Sequence, residues 1–300
     1  KTAEAVYTIT YTTAIDQDYF DQNNQNSQAG QGLTAEDLSN KVSLDYAWPD
    51  GSGPGSDRMP PSVSKGPGDL NINNNLILKS ARAYDKSAHT ITWTVTVNPN
   101  KVNMTSIHLT DELITPPAPG EYRHVFVPGA STEEVEANKD DCLDAICAAI
   151  EKGLEQAGIT GANPDCFNRN NVSLDSVQGQ SGNPSPVLAL DLLDIRLGDI
   201  VKNSFDFTLT SYVDDPDFWA SNKNETFHNT VTMKRDGTTV ENTPIRQDRT
   251  AAAQYACTSN VLKKSHISYS PDTRELTWKL TGNENQAPLG DVAITDDLPE

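Results

Sequence analysis

Two stretches of the chain carry one pattern at one spacing. The first runs Lys79, Trp93, Asn98, Asp111, and the second Lys264, Trp278, Asn283, Asp296. Lysine to tryptophan is 14 residues in both (93 − 79 and 278 − 264), and tryptophan to aspartate is 18 in both (111 − 93 and 296 − 278). HTITWTVTVN at 89–98 answers RELTWKLTGN at 274–283, and IHLTDEL at 107–113 answers VAITDDL at 292–298. A spacing held over so many residues points to a duplicated structural module. Both copies place a lysine and an aspartate on strand faces expected to be buried.

Strand parity supports that expectation, because alternate side chains point to opposite faces. In 89–98, Ile91, Trp93, Val95 and Val97 share one face and the threonines share the other, as in a half-buried antiparallel strand. Asp111 has the parity of Ile107 and Leu109, and Asp296 that of Val292 and Ile294. Lys79 has the parity of Ile77, Ala81 and Ala83, although Leu76 and Leu78 oppose it. Two asparagines join them. Asn229 in FHNTVTM has the parity of Val231 and Met233, and Asn40 in SNKVSLDY that of Val42, Leu44 and Tyr46.

Burying lysine, aspartate and asparagine together is costly unless they pair or react. Burial drives the lysine toward the neutral amine and the aspartate toward the protonated acid. A neutral amine is a nucleophile, and a protonated carboxyl can polarise an amide carbonyl. Attack on the asparagine amide carbon would expel ammonia and leave a Lys–Asn isopeptide bond between strands. Such a cross-link acts like a disulfide but survives reduction.

The ordered set of motifs, Leu78-Lys79-Ser80, ITWTVTVN, LTDEL and FHNTVT, resembles the isopeptide-bonded immunoglobulin-like modules of Gram-positive surface adhesins and pilins, of the type found in collagen-binding adhesins. The resemblance spans nearly the whole chain. It implies an all-β fold of tandem immunoglobulin-like Greek-key β-sandwiches. It implies a bond between Lys79 and Asn229 with Asp111 as the acid, and Asp296 as the equivalent acid of an incomplete module. Asn40 and Lys264 are then half-triads. The implied function is a stalk segment of a cell-wall-anchored, extracellular adhesin or pilus subunit, with neighbouring modules or pilus subunits as partners. The alternative is an adhesin region that grips a host matrix protein such as collagen or fibrinogen, with strand exchange closing the groove. The chemistry is a single self-directed turnover, without cofactor or metal, and not enzymology on a substrate.

Composition bears on what else the chain could do. The net charge is −19, from 23 basic and 42 acidic residues, which repels phosphate backbones and argues against nucleic-acid binding. No apolar run is long enough to span a membrane. No leader opens the sequence and no LPxTG signal ends it, so it reads as an internal segment. The five histidines are scattered, and neither HExxH, G-x-S-x-G, a P-loop nor a dinucleotide fingerprint occurs. Asp214, Asp215 and Asp217 could hold calcium through oxygen ligands, or form a solvated turn.

Along the chain, residues 1–66 read as the C-terminal half of one module: a strand VYTITYT, a polar loop, the strand with Asn40, and a turn-rich linker over 49–69. Residues 67–248 read as a complete module, with FDFTLTSY (Phe205, Phe207 and Leu209 inward) before a closing strand that carries Asn229. Residues 249–300 begin a further module. The two end halves could complete one another, in cis or between chains. Within the middle module, STEE at 131–134 is a capping box. Leu143, Ile146, Cys147, Ile150 and Leu154 follow at helical spacing, and Gly158 suits the position after the helix, so 131–158 is an amphipathic insert. It is either a cover over a sheet edge or a ligand-contacting element. An extracellular setting permits disulfides among Cys142, Cys147, Cys166 and Cys257. Cys166 could pair with Cys142 or Cys147, and Cys257, on the connector, with the insert.

Overall fold

The computed structural model describes residues 8–14, 40–43, 62–65, 75–113, 122–159, 166–177, 187–245, 247–287 and 289–297. It divides into two compact units, Lys1–Asn74 and Asn75–Glu300.

In the first unit, β1 (Asn40–Ser43) pairs antiparallel with β2 (Ser62–Lys65), with Val42 opposite Val63. β2 falls inside the stretch expected to be linker, because Ser62-Val63-Ser64-Lys65 can pair in register with β1. Residues 8–12, the described part of the expected strand VYTITYT, form no ladder. Asn40 is exposed instead of facing a core. Among the described residues no second sheet covers its face, and its amide donates to the Tyr11 hydroxyl.

The second unit contains β3 (Ile77–Asp85), β4 (Thr90–Val97), β5 (Asn103–Thr105), β6 (Ile107–Glu112), β7 (His124–Val125), α1 (Thr132–Gln156), β8 (Phe167–Asp175), β9 (Leu192–Leu197), β10 (Ile200–Val201) and β11 (Phe205–Val213). There follow α2 (Pro216–Trp219), β12 (Asn224–Met233), β13 (Thr239–Val240), β14 (Thr243–Pro244), β15 (Arg249–Thr258), β16 (Leu262–Ser270) and β17 (Glu275–Gly282). A four-stranded sheet, β3-β4-β11-β7, faces a five-stranded one, β15-β12-β6-β9-β8. Ile91, Trp93 and Leu209 from the first sheet and Leu109, Phe227 and Val231 from the second fill one core. This is the immunoglobulin-like sandwich that the resemblance implies. β4 and β11 alternate buried and partly exposed residues along their whole lengths.

β15 corrects the expected boundary at residue 248. It pairs with β12 over ten positions, from Asn224 opposite Thr258 to Met233 opposite Arg249. The middle module's sheet therefore runs to Thr258, Asn229 is not on its last strand, and Cys257 is buried in the sheet instead of lying on a connector. The small residues of TAAAQYACT hide this strand from a search for large alternating side chains.

α1 closes one side of the sandwich. Beyond Tyr212 and Val213, which pair with β7, the edge of β11 away from β4 has no strand partner among the described residues. The helix lies along that edge and against β8. The approach is close: a Cβ on Gly153 would sit 2.2 Å from the Asp206 carbonyl oxygen. The Ser131 hydroxyl caps the helix by accepting from the Glu134 amide at 3.2 Å, and Gly158 follows its end at φ +71°. The insert is thus positioned as a sheet-edge cover.

The duplication is visible in the backbone. Each feature of the second copy lies 185 residues after its counterpart (264 − 79 = 185). A β-bulge interrupts the β3–β4 register between Ala81 and Ala83, and another interrupts β16–β17 between His266 and Ser268. The bulge turns Tyr84, instead of Ala83, toward the core, which parity counting alone does not foresee. Asn98 and Asn283 both adopt positive φ, at 58° and 50°. Asn98 bonds through its side chain to the backbone of Val102, and Asn283 in the same way to that of Ala287. The two copies differ in cover. Leu276, Trp278, Leu280, Val292 and Ile294, the counterparts of buried core residues, are 41–65% exposed, because no second sheet faces them among the described residues.

Candidate functional site

Lys79 enters the core from β3, opposite Val95 of β4. Asp111 enters from β6 in the opposing sheet, opposite Val231 of β12. Asn229 lies two residues from Val231 on the same face and is fully buried. The Lys79 ammonium nitrogen Nζ is bonded to Asp111 Oδ2, and the two side chains are 0% and 1% exposed. The structure thus brings together the three residues that parity singled out, with lysine and the carboxyl–amide pair on facing sheets.

The polar atoms of this cluster are incompletely satisfied. Asp111 Oδ1 and both Asn229 Nδ2 and Oδ1 complete no hydrogen bond of proper geometry. The amide is nonetheless close enough to favour the charged form of Asp111. Leaving a buried primary amide unpaired costs about 1–3 kcal/mol per polar group, so its presence calls for a reason beyond packing. Burial dominates the ionisation of both partners. It pulls the Lys79 amine below the ordinary lysine range, against the Asp111 charge, and pushes the Asp111 carboxyl upward, against Lys79 and Asn229. Both shifts favour the neutral amine and the neutral acid.

Around the triad stands a polar chain that sequence reading missed. Trp93 Nε1 donates to Ser211 Oγ at 2.8 Å, and His124 Nε2 lies 2.7 Å from the same oxygen. The His124 ring packs edge-on to Phe227 at 5.1 Å. Its pKa is pushed down to about 3, first by burial and then by His228 and Lys79, so the imidazole is neutral. Ser211 could have been found by its inward parity with Leu209 and Val213; the two-residue strand of His124 carries no such signal.

In the second copy, Lys264 Nζ lies 2.5 Å from Asp296 Oδ1 and 4.9 Å from the centre of the Trp278 ring. Both side chains are 37% exposed, in contrast to the sealed Lys79–Asp111 pair.

None of the possible disulfides is formed: all four cysteines are free thiols. Each has a different titratable neighbour. Cys142 lies by Tyr212, Cys147 by Arg169, Cys166 by Asp199 and Cys257 by Tyr84. The acidic loop is also accounted for. Asp214 accepts from Arg123 Nη1 and the Gly129 amide, and Asp215 caps α2 by accepting from the amides of Asp217 and Phe218. Among the described residues no group of three or more acidic, histidine or cysteine side chains could hold a metal ion.

Sheets and site together define an immunoglobulin-like β-sandwich protein with a buried Lys–Asp–Asn cluster. No protein-family model matches the chain, and neither does any curated protein. Among solved structures, it is similar to the collagen-binding subdomain of the Enterococcus faecalis surface protein ACE, at 13% identity, TM-score 0.30, over 61% of this chain and 99% of that one. It is also similar to the collagen-binding domain of a Staphylococcus aureus adhesin, at 9% identity, TM-score 0.30, over 61% and 100%. A third is the Staphylococcus aureus collagen adhesin, at 10% identity, TM-score 0.29, over 74% and 56%.

Proposed function

We propose that the chain is a stalk segment of a bacterial cell-surface adhesin or pilus subunit, extracellular and anchored to the cell wall, whose middle module cross-links itself. The observation that carries this reading is the fully buried Lys79–Asp111 pair facing an Asn229 amide without hydrogen bonds. Transfer of one proton from the Lys79 ammonium to the Asp111 carboxylate gives the neutral pair that burial favours. Lys79 Nζ attacks Asn229 Cγ while the Asp111 carboxyl donates to Oδ1. The Cγ–Nδ2 bond then breaks, and the surplus proton on Nζ passes through Asp111 to the departing nitrogen. One C–N bond replaces another, ammonia leaves, and nothing is oxidised or reduced. Lys264 with Asp296, and Asn40, are the corresponding parts of incomplete triads.

The test is the intact mass of the reduced, denatured protein, with tryptic mapping. The expected result is loss of one ammonia, about 17 Da, with the peptides of Lys79 and Asn229 joined. An unshifted mass with both peptides recovered separately overturns the reading. A second loss would show that Lys264 had found Asn40, within or between chains.

The exposed apolar face of β16–β17 supports a second reading, in which this end of the chain takes an added strand as part of a groove for a host matrix protein. Measurable binding to immobilised matrix protein, lost when Trp278 is replaced, would favour it.

A further inference from the structure

We propose that Asn285 is the keystone of a rigid joint that makes the middle module and the β16–β17 pair one body. Its side chain is fully buried although it lies in a connecting loop. Oδ1 accepts from the Asn260 amide at 2.8 Å, and Nδ2 donates to the Trp219 carbonyl at 3.1 Å and to Ser259 Oγ at 3.2 Å. Its backbone carbonyl accepts from His89 Nε2 at 2.8 Å. One residue thereby ties three separate pieces: the turn between β3 and β4, the end of α2, and the chain that leaves β15.

The chemistry of the position calls for a primary amide. The site presents one donor to one face and two acceptors to the other, and a carboxylate or an aliphatic side chain cannot satisfy both. The platform behind it is stiff. His89 stacks on Trp219 at 4.2 Å with 13° between the rings, and Trp219 stacks on Tyr84 at 5.8 Å with 7°. Asn222 Oδ1 also accepts from the amides of Val261 and Leu262, at 2.8 and 3.2 Å, where β16 begins.

The repeat shows what is special here. Both copies carry Asn-x-Asn after the tryptophan strand, Asn98-Pro99-Asn100 and Asn283-Glu284-Asn285. The first asparagine closes its own loop identically in both. The second reaches back to the residue that precedes the copy: Asn100 Nδ2 donates to the Asn75 carbonyl at 3.1 Å, and Asn285 engages Asn260, its equivalent 185 residues on. Asn100 is exposed, whereas Asn285 is sealed under the middle module. A loop motif has been turned into a fastening between successive modules. This inference stands independently of the cross-link, since neither Lys79 nor Asn229 takes part.

Hydrogen exchange read by mass spectrometry on the whole chain, with small-angle scattering, tests it. In the unmodified protein the amides of Asn260 and Val261 should be protected like those of β15, and its distance distribution is the reference for the variants. Asn285→Ala should speed their exchange by about ten-fold or more and broaden the distance distribution, and Asn285→Asp should do no better. The ammonia loss should be unchanged in both variants. Exchange at 260–261 in the unmodified protein as fast as at the 271–274 turn overturns the joint, whether or not the variants fold. So does an Asn285→Ala protein with unaltered protection and scattering.

Discussion

Val231 stands directly opposite Asp111 across the β12–β6 ladder, and that single pairing places Asn229 on the carboxyl's own face, one step along the strand. Diagonal neighbours on an antiparallel face lie roughly 7–8 Å apart at the backbone, within reach of side chains of this length. A register slip of one residue would turn Asn229 to the other face and dissolve the site.

The cross-link should dominate the stability of the middle module. It would close a loop of 150 residues (229 − 79), for which chain entropy gives about 5 kcal/mol. Lys79→Ala, Asn229→Ala and Asp111→Ala should each keep the full unreacted mass and melt roughly 10–20 °C lower. Equal melting temperatures in all four proteins would sink the cross-link.

His124 should make the module sensitive to acid. Its imidazole titrates near 6.5 in the unfolded chain and at about 3 in the folded one. Between these values the unfolded state binds more protons, so the stability His124 contributes falls as pH drops from 6.5 toward 3, by about 1.4 kcal/mol per unit. From pH 7 to pH 4 the melting temperature should fall more steeply in the unmodified protein than in His124→Phe. Identical slopes would remove His124 as the cause.

Gly153→Ala pits two effects against each other. Alanine raises helix propensity by about 1 kcal/mol. Its methyl carbon, however, would stand 2.2 Å from a strand carbonyl that cannot move without its sheet. The clash should win, with a net loss of roughly 1–3 kcal/mol. Unfolding in urea measures it, and a more stable variant would show that α1 sits further from β11.

Thiol titration checks the cysteines. Cys142 is partly exposed and should react with an aromatic disulfide reagent in the native protein. Cys147, Cys166 and Cys257 are buried, and the Cys257 thiol is pushed up to about 12 by burial, so these three should react only after unfolding. Fewer than four thiols in denaturant, without reductant, would mean that a disulfide forms.

Much of the site was legible because strand parity is a strict code. Trp93, Asp111 and Asn229 face inward as their neighbours dictate, and the capping box at Ser131 begins a helix where expected. Parity failed where a strand changes phase or lacks large side chains. The bulge at Ala81–Ala83 turns Tyr84 inward, and the alanines of β15 carry no amphipathic signal. Asn40 faces solvent because burial depends on a covering sheet, which its own strand cannot specify. The thiols stay apart because disulfide geometry depends on which helix face meets which strand. The Asn285 joint was invisible for a related reason: its partners come from three stretches that only the folded chain brings together.

β15 gives the proposed cross-link a mechanical asymmetry. The 29 residues from Asn229 to Thr258 (258 − 229) lie outside the loop that a Lys79–Asn229 bond would close. Under tension along the chain, the closed loop cannot lengthen, but β15 can be stripped from β12. At about 3.3–3.6 Å per residue, that releases up to ~100 Å of slack before the sandwich itself bears the full pull. The module would then behave as a fuse of set length in series with an inextensible link, yielding once, reversibly, and no further.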